Sequence, residues 1–361
     1  MTGVLEAILL VGGKGTRLRP LTLNCAKPMI PTAGVPFLTH QLARLRDAGV
    51  EHVVLATSYR AETVAAHFGD GRQLGLRVDY VTETEPLGTG GGIRNVADRL
   101  ESGPEDPVVI LNGDVLAAHD IPGQVRLHVE KRAAVTLHLV EVPDPRAFGC
   151  VVVGEDGRVS AFLEKTPDPP SNLINAGCYV FRRSVIDAMP PGRPVSVERE
   201  TFPGLLSSGE LVVGHVDSGY WLDLGTPAAF VQGSRDLVLG RIASSAVPGP
   251  IGQKLVLDGA EIALDAHVTA GSTVGAGAVV SRGAVVEGSV LMDGAVVEAG
   301  AVIRDSVVGA GASVGAGTVL EGVVVGEAAR VGAGNELLSG VRIWAGAEIP
   351  DGAVRFSSDA S

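Results

Sequence analysis

A glycine-rich run near the start of the chain, followed by basic residues, has the residue types needed to hold phosphate groups. It reads Leu10-Val11-Gly12-Gly13-Lys14-Gly15-Thr16-Arg17. Glycines leave backbone N–H groups open to phosphate oxygens. The spacing matches neither a P-loop nor a dinucleotide-binding turn. Arg17 and Lys27 flank the run, and two cations there would balance a triphosphate, whereas the alternative is a tight turn with solvated basic residues.

Alternating strand and helix patterns surround this run in roughly the first 235 residues. Short apolar stretches predict strands at 5–11, 52–57, 76–82 and 108–112. Periodic apolar positions predict helices at 37–48, 61–68 and 89–100. The alternation predicts an α/β fold with a Rossmann-like, mostly parallel sheet that binds ligands at the carboxyl ends of its strands.

A repeat of about six residues begins at Ile262 and indicates a second fold. Apolar residues recur at this spacing, with a slip of one position every 17 residues. Such repetition is the signature of a solenoid whose units bury their apolar side chains only by stacking. The pattern resembles the hexapeptide-repeat left-handed parallel β-helix, with three short strands per coil. We therefore expect a catalytic domain at 1–242, a linker at 243–256 around Pro248-Gly249-Pro250, and a β-helix domain at 257–361.

The glycine-rich run, extended through Leu18-Arg19-Pro20-Leu21-Thr22 and Lys27-Pro28, resembles the signature of the sugar-nucleotide pyrophosphorylases, the nucleoside-diphospho-sugar nucleotidyltransferases. It is most similar to the mannose-1-phosphate guanylyltransferase-like group. Six later segments match this family's motifs in order: Glu85-Pro86-Leu87-Gly88-Thr89-Gly90-Gly91, Asn112-Gly113-Asp114, Phe148-Gly149, Phe162-Leu163-Glu164-Lys165, Asn175-Ala176-Gly177 and Trp221-Leu222-Asp223-Leu224-Gly225-Thr226. Phe148 replaces the family's tyrosine, and Gly92 lengthens a glycine run.

The resemblance implies a role for each matched residue. The nucleotide-binding residues would be Leu10, Gly12, Gly13, Gly15, Thr16, Arg17, Glu85, Pro86, Gly88, Thr89 and Asp114. The sugar-phosphate-binding residues would be Gly149, Glu164, Lys165, Asn175 and Asp223. Asp114 and Asp223 would hold Mg²⁺. Arg17, Lys27 and Lys165 would carry the catalytic charge.

The implied reaction joins a nucleoside triphosphate and a sugar 1-phosphate into a nucleotide sugar and pyrophosphate. A phosphate monoester, with a second pKa of ~6, is already ionised at neutral pH and needs no catalytic base. This agrees with the motifs, which contain none of the eight histidines. The resemblance favours GTP with mannose 1-phosphate. Glucose 1-phosphate or a cyclitol phosphate, with ATP, UTP, dTTP or GTP, stays open.

Two other functional classes remain as alternatives. Hexapeptide β-helices often host acyl transfer, which usually needs a histidine base, and His267 is the repeat region's single histidine. A non-catalytic regulatory subunit would keep the fold without the activity. For the nucleotidyltransferase interpretation, we expect the β-helix domain to assemble the chain into a homo-oligomer.

The composition excludes several partners. The formal net charge is −12, which disfavours nucleic-acid and anionic-membrane surfaces. Apolar runs are far shorter than the ~20 residues of a membrane span. The first residues lack the basic start of a signal peptide, and three widely spaced cysteines indicate no disulfide framework. We therefore expect a cytoplasmic protein.

Overall fold

The computed structural model describes residues 4–355, so residues 1–3 and the last six residues of the predicted β-helix domain lie outside the described part. The chain divides into two compact units. The first unit comprises Met1–Gly13 and Gln41–Trp221, and the second comprises Lys14–His40 and Leu222–Ser361. The glycine-rich run is thus shared between the units. The domain boundaries at 242 and 257 remain a proposal.

The first unit is built on a nine-stranded sheet. One side of the sheet consists of four parallel strands, in the order Pro107–Asn112, Glu6–Leu10, His52–Thr57 and, at the edge, Arg77–Thr82. These strands confirm the predicted parallel arrangement. The other five strands are Val135–Glu141, Gly149–Val153, Val159–Glu164, Leu173–Arg182 and Val212–Val216. Of these, Leu173–Arg182 borders Pro107–Asn112 through antiparallel pairing. A short strand, Val115–Ala117, follows Pro107–Asn112 in the chain.

Helices connect these strands and pack on an apolar core. The α-helices are Phe37–Asp47, Ala61–Phe68, Gly88–Val96, Ile121–Lys131, Arg183–Asp187 and Phe202–Ser207. The predicted helix at 89–100 ends early because a 3-10 turn, Ala97–Arg99, takes over. Ile8, Val54, Ile110, Tyr179 and Phe202 belong to one buried cluster. A π-helical turn, Val197–Thr201, precedes the last helix.

The second unit ends in a left-handed β-helix whose strands stack in three parallel sheets. The first sheet contains Lys254–Val256, Ser272–Val274, Val290–Leu291, Val307–Val308, Val324–Val325 and Arg342–Ile343. The second contains Glu261–Ile262, Val279–Val280, Val296–Val297, Ser313–Val314, Arg330–Val331 and Glu348–Ile349. The third contains His267–Thr269, Val285–Glu287, Val302–Arg304, Val319–Glu321 and Glu336–Leu337. Val274, Leu291, Val308 and Val325 succeed one another in register, and the repeated apolar residues fill the interior as predicted.

The same unit contains the basic part of the signature segment. Residues 14–40 form two 3-10 turns, Thr16–Leu18 and Lys27–Met29, and a small hairpin of Pro31–Thr32 with Val35–Pro36. The helix Pro227–Val238 precedes the β-helix, and the short strand Trp221–Asp223 spans the unit boundary. None of the helices within residues 4–355 is both long and apolar enough to cross a membrane.

Candidate active site

The carboxyl ends of two central strands bring the first glycines and the Asn-Gly-Asp motif of the first unit together. Leu10 and Asn112 are register partners at the ends of their strands. The Gly113 N–H donates to the Leu10 carbonyl at 2.9 Å, and a Cβ on Gly113 would lie 2.5 Å from that oxygen. Only glycine therefore fits here. The half-buried Asp114 follows directly, at the sheet edge where an α/β fold binds its ligands.

A buried tyrosine connects the Asn-Gly-Asp and Asn-Ala-Gly motifs. The Tyr179 hydroxyl accepts a hydrogen bond from Asn175 Nδ2 at 2.9 Å and also bonds the Asn112 side chain. Asn175 Oδ1 accepts from the Gly177 N–H at 3.2 Å. Burial raises the pKa of Tyr179, so the hydroxyl stays protonated. The Asn175 side chain thus holds its own turn, and its contact with the sugar stays a prediction.

Aromatic packing brings the remaining sugar motifs of the first unit next to this turn. Trp221 Nε1 donates to the Ala176 carbonyl at 3.0 Å. The Phe148 ring meets the Trp221 ring edge-on, with centroids 5.4 Å apart. The Lys165 N–H donates to the Phe148 carbonyl at 3.2 Å. The Phe148 ring, in place of the family's tyrosine, therefore packs against Trp221, and its main-chain carbonyl holds the backbone of Lys165.

The Glu164 and Lys165 side chains are placed by a strand pair and an unusual backbone conformation. Glu164 is the register partner of Gly149. Lys165 has a φ of 48°, in the left-handed region that non-glycine residues seldom adopt. Its exposed ammonium lies 3.8 Å from the Glu164 carboxylate. The Lys165 side chain is thus exposed directly after the end of the strand Val159–Glu164.

The loop predicted to hold the base is fastened to residues 195–198. Gly90 N–H donates to the Val195 carbonyl at 2.8 Å. The Thr89 hydroxyl donates to Glu198 at 2.9 Å and accepts from the Val197 N–H at 3.0 Å. The Thr89 side chain therefore secures the loop. Gly88, Glu85 and Pro86 are exposed at its tip.

The extra glycine of this loop lies against an acidic side chain. A Cβ on Gly92 would come within 2.6 Å of Glu83 Oε1. Glu83 accepts weakly from the Leu87 N–H at 3.4 Å, and burial raises the pKa of its carboxyl. Gly92 thus makes room for a carboxyl beside the loop, which explains this departure from the family pattern.

In the second unit, Arg17 and Asp223 adjoin the same glycine. A Cβ on Gly225 would lie 2.7 Å from Arg17 Cζ and 2.9 Å from Asp223 Oδ1. The arginine and carboxylate predicted from motifs far apart in sequence therefore lie side by side. Thr226, the next residue, caps the helix Pro227–Val238 by accepting from the Ala229 N–H at 3.2 Å. The cap fixes the chain direction just after Asp223.

Lys27 lies beside the third glycine of the signature. A Cβ on Gly15 would be 3.1 Å from Lys27 Cβ, and the Gly15 φ of 57° is left-handed. The Thr22 hydroxyl donates to the Gly15 carbonyl at 2.8 Å. Thr16 and Arg17 are exposed on the turn that follows. The second unit thus carries Gly15, Thr16, Arg17, Lys27 and Asp223.

The remaining predicted residues belong to the first unit. They are Leu10, Gly12, Gly13, Glu85, Pro86, Gly88, Thr89, Asp114, Gly149, Glu164, Lys165 and Asn175. Within residues 4–355 no cluster of three or more His, Cys, Asp and Glu side chains is built to hold a metal by itself. Asp114 in the first unit and Asp223 in the second each carry a carboxylate, the kind of ligand that hard divalent ions prefer.

Three residues that hold predicted site segments in place were not predicted from the sequence. Tyr179 and Glu198 join motifs through contacts between distant parts of the chain. Ser58 accepts from the Gly13 N–H at 3.1 Å and so fastens the second glycine of the signature. Of the three, only Ser58 carried a local signal, because it follows the end of a predicted strand.

Two family models match the chain, one in its first part and one in its second. The family model described as Nucleotidyl transferase matches residues 6–238. The model described as GMPPB C-terminal domain matches residues 250–349.

Curated relatives match over much of their length. The mannose-1-phosphate guanylyltransferase of Mycobacterium tuberculosis is 57% identical over 99% of each chain. Mannose-1-phosphate guanylyltransferase 1 of Arabidopsis thaliana is 34% identical over 79% of each. Among solved structures, HddC from Yersinia pseudotuberculosis is 27% identical with a TM-score of 0.56, covering 64% of this chain and 99% of its own. The same protein complexed with GMP-PN is 26% identical, with a TM-score of 0.55 and the same coverage.

Proposed function

Since the chain belongs to the nucleotidyl transferase family, we propose that it joins GTP and mannose 1-phosphate to give GDP-mannose and pyrophosphate. The observation that carries this proposal is the 57% identity to a mannose-1-phosphate guanylyltransferase over 99% of both chains. That match includes both the nucleotidyl transferase part and the repeats. The GMP-PN complex of the structural neighbour HddC also supports a guanine nucleotide as donor.

The reaction is a displacement at the α-phosphorus of GTP. A phosphate oxygen of mannose 1-phosphate forms the new P–O bond, and the bond from the α-phosphorus to the bridging oxygen breaks. The electron pair leaves with pyrophosphate. The nucleophile is already ionised, so what opposes the reaction is repulsion between anions, and the protein contributes position and positive charge.

The first unit would hold the acceptor and the base. Lys165 would pair with the phosphate of the sugar, because its exposed ammonium projects from the end of a strand. Glu164 and the Asn-Ala-Gly turn at Asn175 would bind sugar hydroxyls, and Gly149 leaves room beside Glu164. The base would lie against the loop tip at Gly88, which Thr89 secures.

The second unit would stabilise the charge of the leaving group. Arg17 is exposed on the turn after Gly15, and Lys27 begins the next turn. Two cations there would take up the charge that accumulates on pyrophosphate. Backbone groups of Leu10, Gly12, Gly13, Gly15 and Thr16 would bind the triphosphate around them.

Nucleotidyltransferases of this kind use a divalent metal ion, and we propose Mg²⁺, held by Asp114 and Asp223. When bound, the ion supplies charge that lowers the repulsion between the two phosphates. Carboxylate oxygens at the ends of two strands suit Mg²⁺. We also propose a cytoplasmic location, which the free thiols of Cys150 and Cys178 support, and homo-oligomers formed through the β-helix.

The test is a matrix of GTP, ATP, UTP, dTTP and CTP against mannose, glucose and cyclitol 1-phosphates. Pyrophosphate release and nucleotide-sugar formation are both measured, and reactions without acceptor control for hydrolysis. We expect the highest kcat/KM with GTP and mannose 1-phosphate, with one pyrophosphate per GDP-mannose. A better rate with a different pair would replace the substrates. An absence of pyrophosphate with every pair, or transfer from acetyl-coenzyme A, would replace the reaction class.

A further inference from the structure

One outer face of the β-helix is covered by the signature segment of the same unit. Val290, Val307 and Val324 follow one another in register on successive coils. Their side chains point away from the interior, because the neighbouring residue of each strand points inward. They are nonetheless at most 3% exposed, since they pack against Leu18, Leu21 and Ile30.

Arg342 takes the next place in this column of outer residues. It is the register partner of Val324, so it continues the apolar stripe with a guanidinium. Arg342 Nη1 donates to the main-chain carbonyl of Arg17 at 2.8 Å and to that of Arg19 at 3.0 Å. A β-helix side chain thus bonds directly to the residue that we place at the pyrophosphate.

The two carbonyls that Arg342 binds are the ones that the turn does not satisfy through its own short-range bonds. The carbonyls of Gly15, Thr16, Leu18 and Pro20 accept from backbone N–H groups three residues further on. Those of Arg17 and Arg19 alternate with them and accept from Arg342. This guanidinium therefore completes the backbone hydrogen bonding of the turn, although Arg17 and Arg19 lie at the surface.

We propose that Arg342 is a positioning residue for nucleotidyl transfer, which sets the backbone of the turn so that the Arg17 side chain meets the charge of the leaving group. The proposal rests on the role given to Arg17 under the proposed function. It assigns the β-helix a part in the reaction itself, because the last strand of its first sheet carries the residue that fixes the turn.

Separate contacts attach the segment to the β-helix, so removal of Arg342 leaves the attachment in place. The apolar cluster around Val307 buries side chains of both the signature segment and the β-helix. Asn24 Nδ2 donates to Glu327 Oε2 at 3.0 Å on a neighbouring coil. The Arg342 side chain lies at the exposed edge of this cluster. Its loss is therefore expected to alter the turn locally and to leave the unfolding temperature unchanged.

The experiment compares Arg342→Met and Arg342→Lys with Arg330→Met in the full-length protein. Arg330 is an exposed arginine on another sheet of the same β-helix and serves as the matched control. For each variant we would measure kcat, the KM for GTP and for mannose 1-phosphate, the unfolding temperature, and amide hydrogen exchange at Leu18 and Leu21. The lysine variant keeps a cationic hydrogen-bond donor at this position.

We expect Arg342→Met to lower kcat by roughly tenfold to a hundredfold, the range for a slight misplacement of a catalytic group. Both KM values would stay within about twofold and the unfolding temperature would not change. Exchange at Leu18 and Leu21 would quicken, and Arg342→Lys would recover part of kcat. Equal kcat in Arg342→Met and Arg330→Met would overturn the proposal, as would a fall in kcat that follows loss of stability. If the wild-type protein releases no pyrophosphate, the proposed function fails, whereas unchanged exchange at the turn refutes the positioning role alone.

Discussion

The guanidinium of Arg17 lies against the Cα of Gly225: a Cβ built on that glycine would be 2.7 Å from Arg17 Cζ. Two motifs separated by some two hundred residues therefore meet at one point of the second unit. The same Cβ would be 2.9 Å from Asp223 Oδ1. Because glycine has no side chain, the Arg17 guanidinium and the Asp223 carboxylate can both lie next to position 225.

We expect Gly225→Ala to displace Arg17 and to lower kcat by roughly a hundredfold, because the methyl group and the guanidinium cannot both fit. Steady-state kinetics would measure this, with circular dichroism to show that the fold is intact. Gly252→Ala is the matched control, since a Cβ there has no atom within 4 Å among the described residues. Normal turnover in Gly225→Ala would mean that Arg17 does not need its present position.

The Thr89 hydroxyl joins the loop predicted to hold the base to Glu198 and to the Val197 N–H. We expect loss of this hydroxyl to loosen the loop. Thr89→Val keeps the shape and removes both hydrogen bonds, which costs about 1 to 3 kcal/mol for partly buried groups. The KM for GTP should rise more than the KM for mannose 1-phosphate. Thr89→Ser keeps the hydroxyl and should behave like the wild type. Equal changes in both KM values would separate Thr89 from the nucleotide.

Lys165 is predicted to bind the phosphate of the acceptor. Lys165→Met should lower kcat/KM for mannose 1-phosphate by roughly tenfold to a hundredfold, the value of one charge-assisted hydrogen bond. Binding of GTP alone, measured by calorimetry, should be unchanged. Lys131→Met, at the exposed end of a helix, controls for the loss of one positive charge. A matching loss of GTP affinity in Lys165→Met would place this lysine at the nucleotide.

The sequence predicted those features that depend on local spacing. The repeated apolar residues identified the interior of the β-helix. They recur about every six residues, and each one lies on a separate short strand with its side chain in the interior. The central strands were visible as apolar stretches ending in glycine or polar residues.

Contacts between distant segments were not visible in the sequence. Nothing in the spacing of Tyr179 or Glu198 shows which motif each one contacts, because those contacts form only when the sheet is assembled. Likewise, residues 14–40 pack with the β-helix since Leu18 and Leu21 find apolar partners on its outer face. An outward-facing valine in a repeat looks like any other exposed position until that partner is known.

A stacked pair of buried histidines should make the protein sensitive to acid. The rings of His119 and His138 are 3.6 Å apart at their centroids, and neither His138 nitrogen has a hydrogen-bond partner among the described residues. Burial, together with the charge of Arg44 and the nearby His215, lowers the pKa of His138 to about 3. The folded protein therefore keeps this ring neutral, whereas the unfolded chain takes up a proton below pH 6.5 or so.

Because the unfolded state binds the additional proton, the stability contributed by neutral His138 is present above pH 6.5 and is lost as pH falls toward 3. Relative to His138→Leu, the free energy of unfolding of the wild type should fall by about 1.4 kcal/mol per pH unit in this range. Urea unfolding between pH 7 and pH 5 would measure it. His67→Leu, at an exposed position, is the control. Parallel pH profiles for the wild type and His138→Leu would contradict the prediction.

The proposed magnesium-binding role of Asp114 and Asp223 is tested most directly by the turnover of Asp114→Asn, Asp223→Asn and the double variant. Asp258→Asn, at an exposed position of the β-helix, is the control, and MgCl₂ is varied in every assay. We predict that each single variant loses roughly a thousandfold in kcat with its fold intact, and that the double variant loses little more, because both carboxylates serve the same ion. Near-normal turnover in either single variant, or losses that multiply in the double variant, would contradict this account.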